Sequence, residues 1–226
     1  MIISIDGAAG TGKTSVGKLI ANKLNFQFLD TGKIYRAFTL KLLQNNIPAD
    51  NLSSILYYLN NTRIEYKYSL EKEEVFIDDL DVSELLADKE IEERVSISSK
   101  IPEVRKKMTS LQRKIVSNKN FIVVGRDIGT VVLPKANLKI FLLASLKERA
   151  RRRSLEKINE SYENILKSMN DRDTIDTTRK IAPLKAAEDA KIINTDNLNL
   201  NQVSEKILSL IKQWIFYIIY AQLPYG

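Results

Sequence analysis

The chain has 226 residues, 44% hydrophobic and 28% charged, with a formal net charge of +7; that composition argues against wholesale disorder and suits one α/β domain with insertions or two small domains. Cysteine and histidine are both absent, which removes disulfides, thiolate nucleophiles, Cys-ligated zinc, and the commonest general base and metal ligand. Chemistry must therefore run on carboxylates, Lys, Arg, Tyr, hydroxyls, backbone amides and an oxygen-held metal, and the positive charge favours an anionic partner.

Residues 2–5, Ile-Ile-Ser-Ile, read as a short buried strand, with neither the basic stretch nor the cleavage site of a signal peptide. A glycine-rich turn follows. A helix is predicted over 13–24, where Val16, Leu19, Ile20 and Leu24 recur at helical spacing. Strand, glycine loop and helix open a βαβ unit and imply a parallel sheet. A second strand is expected at 26–29 and a helix at about 32–44. No element is assigned to 49–62. Alternation at 63–68 and an apolar-centred run at 74–78 predict a small antiparallel element across 63–82, joined by the polar stretch 69–73. Helices are predicted over 88–100 and 102–118, the second opening on Pro102 at an allowed first-turn position.

Residues 121–124 and 138–143 are continuous apolar runs of strand length, the pattern of strands covered on both faces. Helices at 145–155 and 162–172, joined by a polar turn at 159–161, a strand at 191–193 and a closing helix from about 201 complete the chain. The longest apolar run, 214–221, is eight residues, well short of the roughly 20 that span a bilayer. A cytoplasmic protein without membrane contact is expected.

Gly7-Ala8-Ala9-Gly10-Thr11-Gly12-Lys13-Thr14 fits the P-loop pattern GxxxxGK[ST] and sits between a strand and a helix, where that pattern works. Its backbone N–H groups turn inward on phosphate oxygens, and the helix N-terminus adds partial positive charge. Lys13 would reach the β- and γ-phosphates, the Thr14 hydroxyl would ligate Mg²⁺, and Ser15 completes the ATP-binding stretch. A purine nucleoside triphosphate is implied; hydrolase, GTPase, motor and kinase remain open at this point.

Joining two phosphorylated molecules brings polyanions together, so a kinase needs cations and positioning more than covalent chemistry. Arginine suits this task because its planar fork pairs bidentately with phosphate and stays charged. Arginines gather at Arg36, Arg105, Arg126, the run 149–153, Arg172 and Arg179. The 149–153 run lies close to glutamates at 148, 156 and 160 and has no interleaved aromatics. It reads as a phosphate-closing lid rather than a nucleic-acid surface.

The stretches 30–36 (DTGKIYR), 102–105 (PEVR), 112–113 (QR), 125–132 (GRDIGTVV), 172–179 (RDTIDTTR) and 182–190 (APLKAAEDA) together resemble bacterial cytidylate kinases, in order from residue 2 to about 205. The resemblance implies a P-loop nucleoside monophosphate kinase fold: an α/β, five-stranded parallel sheet core at about 1–35, 118–148 and 180–226. It adds a monophosphate-binding insertion at about 36–117, with its small β element at 63–82, and an Arg-rich lid at about 149–179.

The same resemblance implies transfer of the terminal phosphoryl group of ATP, with Mg²⁺, onto CMP or dCMP. Ser96, Arg105 and Asp127 would contact cytosine. The chemistry agrees, since a carboxylate accepts from the N4 amine and a guanidinium donates to O2 and N3. Arg36, Arg126 and Arg179 would hold the acceptor phosphate, Asp176 would accept from the sugar hydroxyls, and Thr31 would help seat the nucleotide. Arg149, Arg153 and Arg172 are candidates to close on the transferring group. Competing readings are another small P-loop kinase and a basic nucleic-acid-binding NTPase or nucleotide sensor.

Three features depart from the family pattern. Ala8 stands where proline is usual, and Lys33 replaces a small residue and is expected to face solvent. Residues 214–220 form a helix end that is apolar all round, expected to pack on the chain's own surface. A monomer is expected, with that end as the place where copies could associate.

Overall fold

The structure is a computed structural model that describes residues 1–69, 72–117, 119–157 and 160–221, with the side chains of 220 and 221 excepted. Five parallel strands form the central sheet: β1 (Ile2–Gly7), β2 (Gln27–Asp30), β6 (Phe121–Gly125), β7 (Leu138–Leu143) and β8 (Lys191–Asn194), in the order β2-β6-β1-β7-β8. β1 is central, pairing Ile3 with Ile122 on one side and Leu138 on the other.

Strand alternation sends Ile3, Ile5, Ile122 and Val124 to one face, where they pack with α1 (Lys13–Leu24) and α8 (Leu200–Ala221) through Val16, Ile20, Val203, Ile207 and Ile211. Phe121 and Val123 go to the other face, against Ile34 and Phe38 of α2 (Thr31–Gln44). Both faces are covered, and the continuous apolar runs follow from that.

Between α2 and β6 the chain leaves the sheet. It forms α3 (Leu52–Asn61), then a three-stranded antiparallel sheet of β3 (Ile64–Tyr68), β4 (Glu73–Ile77) and β5 (Leu80–Asp81). A 3₁₀ turn (Ser83–Ala87), α4 (Lys89–Ser98) and α5 (Pro102–Ile115) follow. α3 is the element that the sequence pattern did not assign. It is capped by Asn51, whose side chain accepts from the Ser54 N–H at 3.1 Å, and it buries only Ile55 and Leu59. Asn118, the expected end of α5, and Asn159, in the expected 159–161 turn, lie outside the described residues, as does part of the 69–73 connection.

Glu73 was expected in that polar connection. It is instead a buried strand residue that accepts from the Tyr66 hydroxyl at 2.8 Å and pairs with Lys18 and, at 3.2 Å, Lys33. The expectation that Lys33 faces solvent is thereby corrected: it helps neutralise a buried carboxylate and so fastens the small sheet to α2.

After β7 come α6 (Leu146–Glu156) and α7 (Tyr162–Thr178), capped by Ser145 and Ser161. α7 continues six residues past its predicted end. Thr174, Thr177 and Thr178 donate back to carbonyls of the preceding turn at 2.9, 2.7 and 2.6 Å, so these poor helix formers satisfy their hydroxyls without breaking the helix. Among the described residues no helix is long and apolar enough to cross a membrane.

The expected packing of 214–220 on the chain's own surface is only partial among the described residues. Ile207 and Ile211 are buried, but Phe216, Tyr217 and Ile219 are 60%, 68% and 57% exposed. Trp214 and Ile218 are half-buried.

Candidate active site

Gly12 takes φ +88° at the start of α1, a left-handed backbone that disfavours any side chain. This turn lets the preceding loop fold back over the helix N-terminus. Lys13, the first helical residue, is buried, and its ammonium donates to the Ala8 carbonyl at 2.5 Å. Burial lowers its pKa well below the ordinary lysine range, and the charge of Arg126 adds to the effect. The Thr14 hydroxyl donates to Asp30 Oδ2 at 3.0 Å, and the other carboxylate oxygen caps α2 through the Gly32 N–H at 2.9 Å.

A cleft of about 1160 Å³ opens beside this loop, lined by parts of α1, α2, α4, α6 and α7 and by the 125–127 turn. Of the predicted residues, Ala9 to Ser15, Thr31, Arg36, Ser96, Arg105, Arg126, Asp127, Arg153, Arg172, Asp176 and Arg179 all line it. Gly7, Ala8 and Arg149 do not. Arg149 lies behind the loop, donating to the Ala9 carbonyl at 3.0 Å and the Ala144 carbonyl at 3.0 Å and pairing with Asp173 at 2.6 Å. Its place is to hold the glycine loop against α6 and α7. Thr31 lines the cleft, but its hydroxyl donates to the Val124 carbonyl at 2.8 Å, pinning the start of α2 to β6.

In the same cleft, Arg105 and Asp127 form a buried ion pair at 2.5 Å. Arg105 also donates to the Ser99 carbonyl at 3.2 Å and lies over the Tyr35 ring, 5.6 Å from its centroid. Asp127 takes a second, longer contact from Arg179 at 3.4 Å. Asp176, one turn after Arg172 on α7, accepts from Arg126 Nε at 2.9 Å and lies 3.5 Å from Arg179. Burial opposes its charge, but Arg126, Arg172 and Arg179 prevail and lower its pKa.

Arg172 feels the reverse balance. Burial brings it down to about 10, helped by Arg126. The Nε atoms of Arg36 and Arg172 are buried without a hydrogen-bond partner among the described residues. Two unsatisfied guanidinium donors in one cleft are costly unless an anion enters. Arg151 and Arg152 both pair with Glu148 at 2.8 Å, so two arginines of the basic run share one carboxylate of their own helix.

Two carboxylates are given no role by the sequence. Asp6, next to last in β1, is buried and accepts from the N–H groups of Ile128 and Gly129 at 2.8 Å each. It anchors a π-helical turn (Ile128–Val132) in which Val132 N–H reaches back to the Asp127 carbonyl at 3.1 Å. Burial pushes the Asp6 pKa up to about 6 against the opposing backbone hydrogen bonds. Gly125 lets this turn close: a Cβ there would stand 2.6 Å from both the Thr31 hydroxyl and Ile128 Cδ1. Glu92, on α4, lies among cations of α6 and α7. It belongs to no motif, and its sequence neighbours give no sign of the cations that α6 and α7 bring to it.

A polyphosphate-shaped backbone cradle on one wall and buried, under-satisfied guanidiniums on the other are the parts with which P-loop phosphotransferases bring two anionic reactants together. Residues 3–213 match the family model described as cytidylate kinase. A relative named cytidylate kinase from Carboxydothermus hydrogenoformans is 44% identical, covering 93% of this chain and 97% of its own. Another of that name from Fusobacterium nucleatum is 46% identical, covering 92% and 97%. The chain belongs to the cytidylate kinase family. Among solved structures, an uncharacterised protein from Eubacterium ventriosum superposes with a TM-score of 0.51 at 15% identity, covering 94% of this chain and 98% of that one. That likeness speaks for the fold alone.

Proposed function

We propose that this protein transfers the terminal phosphoryl group of ATP to CMP and dCMP, giving CDP and dCDP. One arrangement supports this reading beside the family membership: the glycine loop and the Arg105–Asp127 pair share one cleft, with Arg36, Arg126, Arg172 and Arg179 also on its walls. The loop takes the donor phosphates, the ion pair reads the cytosine edge, and the arginines screen the repulsion between them.

Residues 36–117 act as the acceptor-binding insertion and 149–179 as the lid, with the rest as core. Ser96, Arg105 and Asp127 contact the base. Asp127 accepts from the N4 amine, which uracil lacks. Arg36, Arg126 and Arg179 hold the acceptor phosphate, Asp176 accepts from the sugar hydroxyls, and Thr31 acts by placing α2. Lys13 bears on the donor phosphates, and a polyphosphate beside it restores the charge that burial opposes. Arg153 and Arg172 close on the moving phosphoryl group, whereas Arg149 acts through the loop it braces. The acceptor oxygen is already anionic, so no general base is needed, and a chain without histidine loses nothing.

The donor set also fits Mg²⁺ of the nucleotide-borne kind. The Thr14 hydroxyl at the first turn of α1, steadied by Asp30, is the protein oxygen placed to hold it. No group of three or more carboxylates forms a cage among the described residues, which is how Mg²⁺ is usually held beside substrate phosphates. When bound, the ion neutralises charge on the donor phosphates. A monomeric cytoplasmic enzyme that binds no nucleic acid follows from this reading, with the exposed end of α8 as the surface where copies could meet. ADP release measured with CMP, dCMP, UMP and AMP tests it. Turnover confined to the cytidine monophosphates is expected; ATP binding with no monophosphate consumed would overturn it.

A further inference from the structure

Glu92 stands where three elements meet. Its carboxylate contacts Arg153 Nη2 at 2.7 and 2.9 Å, Lys157 Nζ at 2.9 Å and Arg172 Nη1 at 3.6 Å. Arg153 and Lys157 belong to α6 and the residue just after it, Arg172 to α7, and Glu92 to α4, so one side chain ties the acceptor-binding side to the lid across the mouth of the cleft. Burial opposes its charge, yet Lys157, Arg153 and Arg172 hold its pKa down at about 2; it stays anionic across any working pH.

Its place on α4 matters as much as its contacts. Ser96 follows four residues later, and residues at that spacing share one face of a helix. Both line the cleft. Ser96 is buried, next to the Ser99 carbonyl that receives Arg105. A single turn of helix therefore carries a cleft-lining serine at one end and a lid-gripping carboxylate at the other. Any shift of α4 on binding the base is delivered to Arg153, Lys157 and Arg172.

The grip on Arg172 is the loosest of the three. Its guanidinium meets Glu92 only at 3.6 Å, and its Nε is buried with no hydrogen-bond partner among the described residues. An incoming phosphoryl oxygen can take Arg172 while Glu92 keeps Arg153 and Lys157, so the lid can be held and a cation released in the same motion. An isolated surface pair could not do this, being worth little and easily screened. Lys89, one turn earlier, adds a more exposed tie to the same network: it pairs with Glu160 at 3.3 Å, and Glu160 pairs with Lys157 at 3.3 Å.

We propose that Glu92 is a positioning residue that couples the two nucleotide sites: through it, occupation of the acceptor site sets the lid cations over the donor phosphates, and each nucleotide binds more tightly when the other is present. The inference rests on the kinase reading above, and it implies reciprocity, since a coupling free energy between two sites acts equally in both directions.

The test titrates a non-hydrolysable ATP analogue into wild type, Glu92→Gln, Lys157→Gln and the double variant, with and without saturating CMP, after CDP formation by the wild type has been measured. Absence of CDP formation would sink the kinase reading itself, whatever the titrations give. With turnover established, CMP is expected to tighten the analogue by at least about fivefold in the wild type, within the usual range for coupled sites. Glu92→Gln should abolish most of that factor, with CMP affinity alone moving less than about twofold, and should also lower the melting temperature, because three cations lose a carboxylate partner. Lys157→Gln should lose part of it, and the double variant should be no worse than Glu92→Gln, as residues acting through one bridge are non-additive. A wild-type factor near one, or a factor that Glu92→Gln leaves intact, overturns the proposal. If Glu92→Gln does not fold, an unchanged factor in Lys157→Gln does so.

Discussion

Arg105 Nη2 and Asp127 Oδ2 lie 2.5 Å apart, with 5% and 7% of their side chains exposed. A buried pair of this kind is weak evidence for stability, because desolvating two charges offsets most of their attraction. Its value lies in aim: each group is held by the other and by Ser99, Tyr35 or Arg179, leaving one acceptor and one donor fixed in the cleft.

Asp127→Asn keeps the shape and replaces one acceptor oxygen with an N–H donor, which suits the O4 of uracil better than the N4 amine of cytosine. The CMP-over-UMP ratio of kcat/KM should fall by at least about tenfold, the scale on which hydrogen-bonding sites discriminate. An unchanged ratio removes Asp127 from base reading.

Arg36 and Arg126 should separate binding from stability. Arg126 pairs with Asp176 at 2.9 Å, and Asp176 is buried; Arg126→Ala leaves that carboxylate short of a partner and should cost about 3 kcal/mol of stability as well as activity. Arg36 has no carboxylate partner among the described residues, and its Nε is unsatisfied. Arg36→Ala should raise the KM for CMP by at least about tenfold, the loss expected for a charge-assisted hydrogen bond, with stability held or improved. Chemical denaturation beside steady-state kinetics distinguishes the two; equal destabilisation would show that Arg36 is structural.

Lys13→Met removes a buried cation whose charge the fold already disfavours. Turnover should drop at least about a hundredfold, as expected when a cation on the transferring phosphates is lost, while the melting temperature rises or stays level. A clear drop in melting temperature would mean that the Lys13–Ala8 contact braces the loop instead.

Asp6 carries a pH signature. Its folded pKa is about 6 against an ordinary value of 3.8, so between those values the folded state binds the proton more tightly than the unfolded chain. Its contribution to stability is therefore fully present below about pH 4 and lost as pH rises through 6, on the order of 3 kcal/mol. Asp6→Asn cannot titrate, so the wild type should lose stability relative to this variant from pH 4 to pH 6 and run parallel to it above 7. Parallel curves throughout would show that burial does not shift the carboxyl.

Much of this was readable in the chain. The glycine loop, the parallel strands and the arginine positions follow from local patterns, because a P-loop needs its glycines adjacent and a doubly covered strand needs an unbroken apolar run. The rest depends on distance. Asp6 gains meaning only when Ile128 and Gly129 come to it, and Glu92 only when α6 and α7 arrive. Lys33 and Glu73 each read as surface residues, and become partners only because β4 folds back over α1 and α2. The end of α8 is a case of another kind: an apolar run does not show how far its own chain buries it, and Tyr217 and Ile219 stay 68% and 57% exposed.

The central position of β1 has a consequence for how the molecule is made. Its neighbours, β6 and β7, begin 119 and 136 residues after its first residue, and translation runs at about 5–20 residues per second. The strand that launches the phosphate loop therefore waits on the order of ten seconds on the ribosome for a hydrogen-bonding partner, its isoleucines bare. In that interval Ile2, Ile3 and Ile5 are the natural targets of chaperones, and of other nascent copies if those fail.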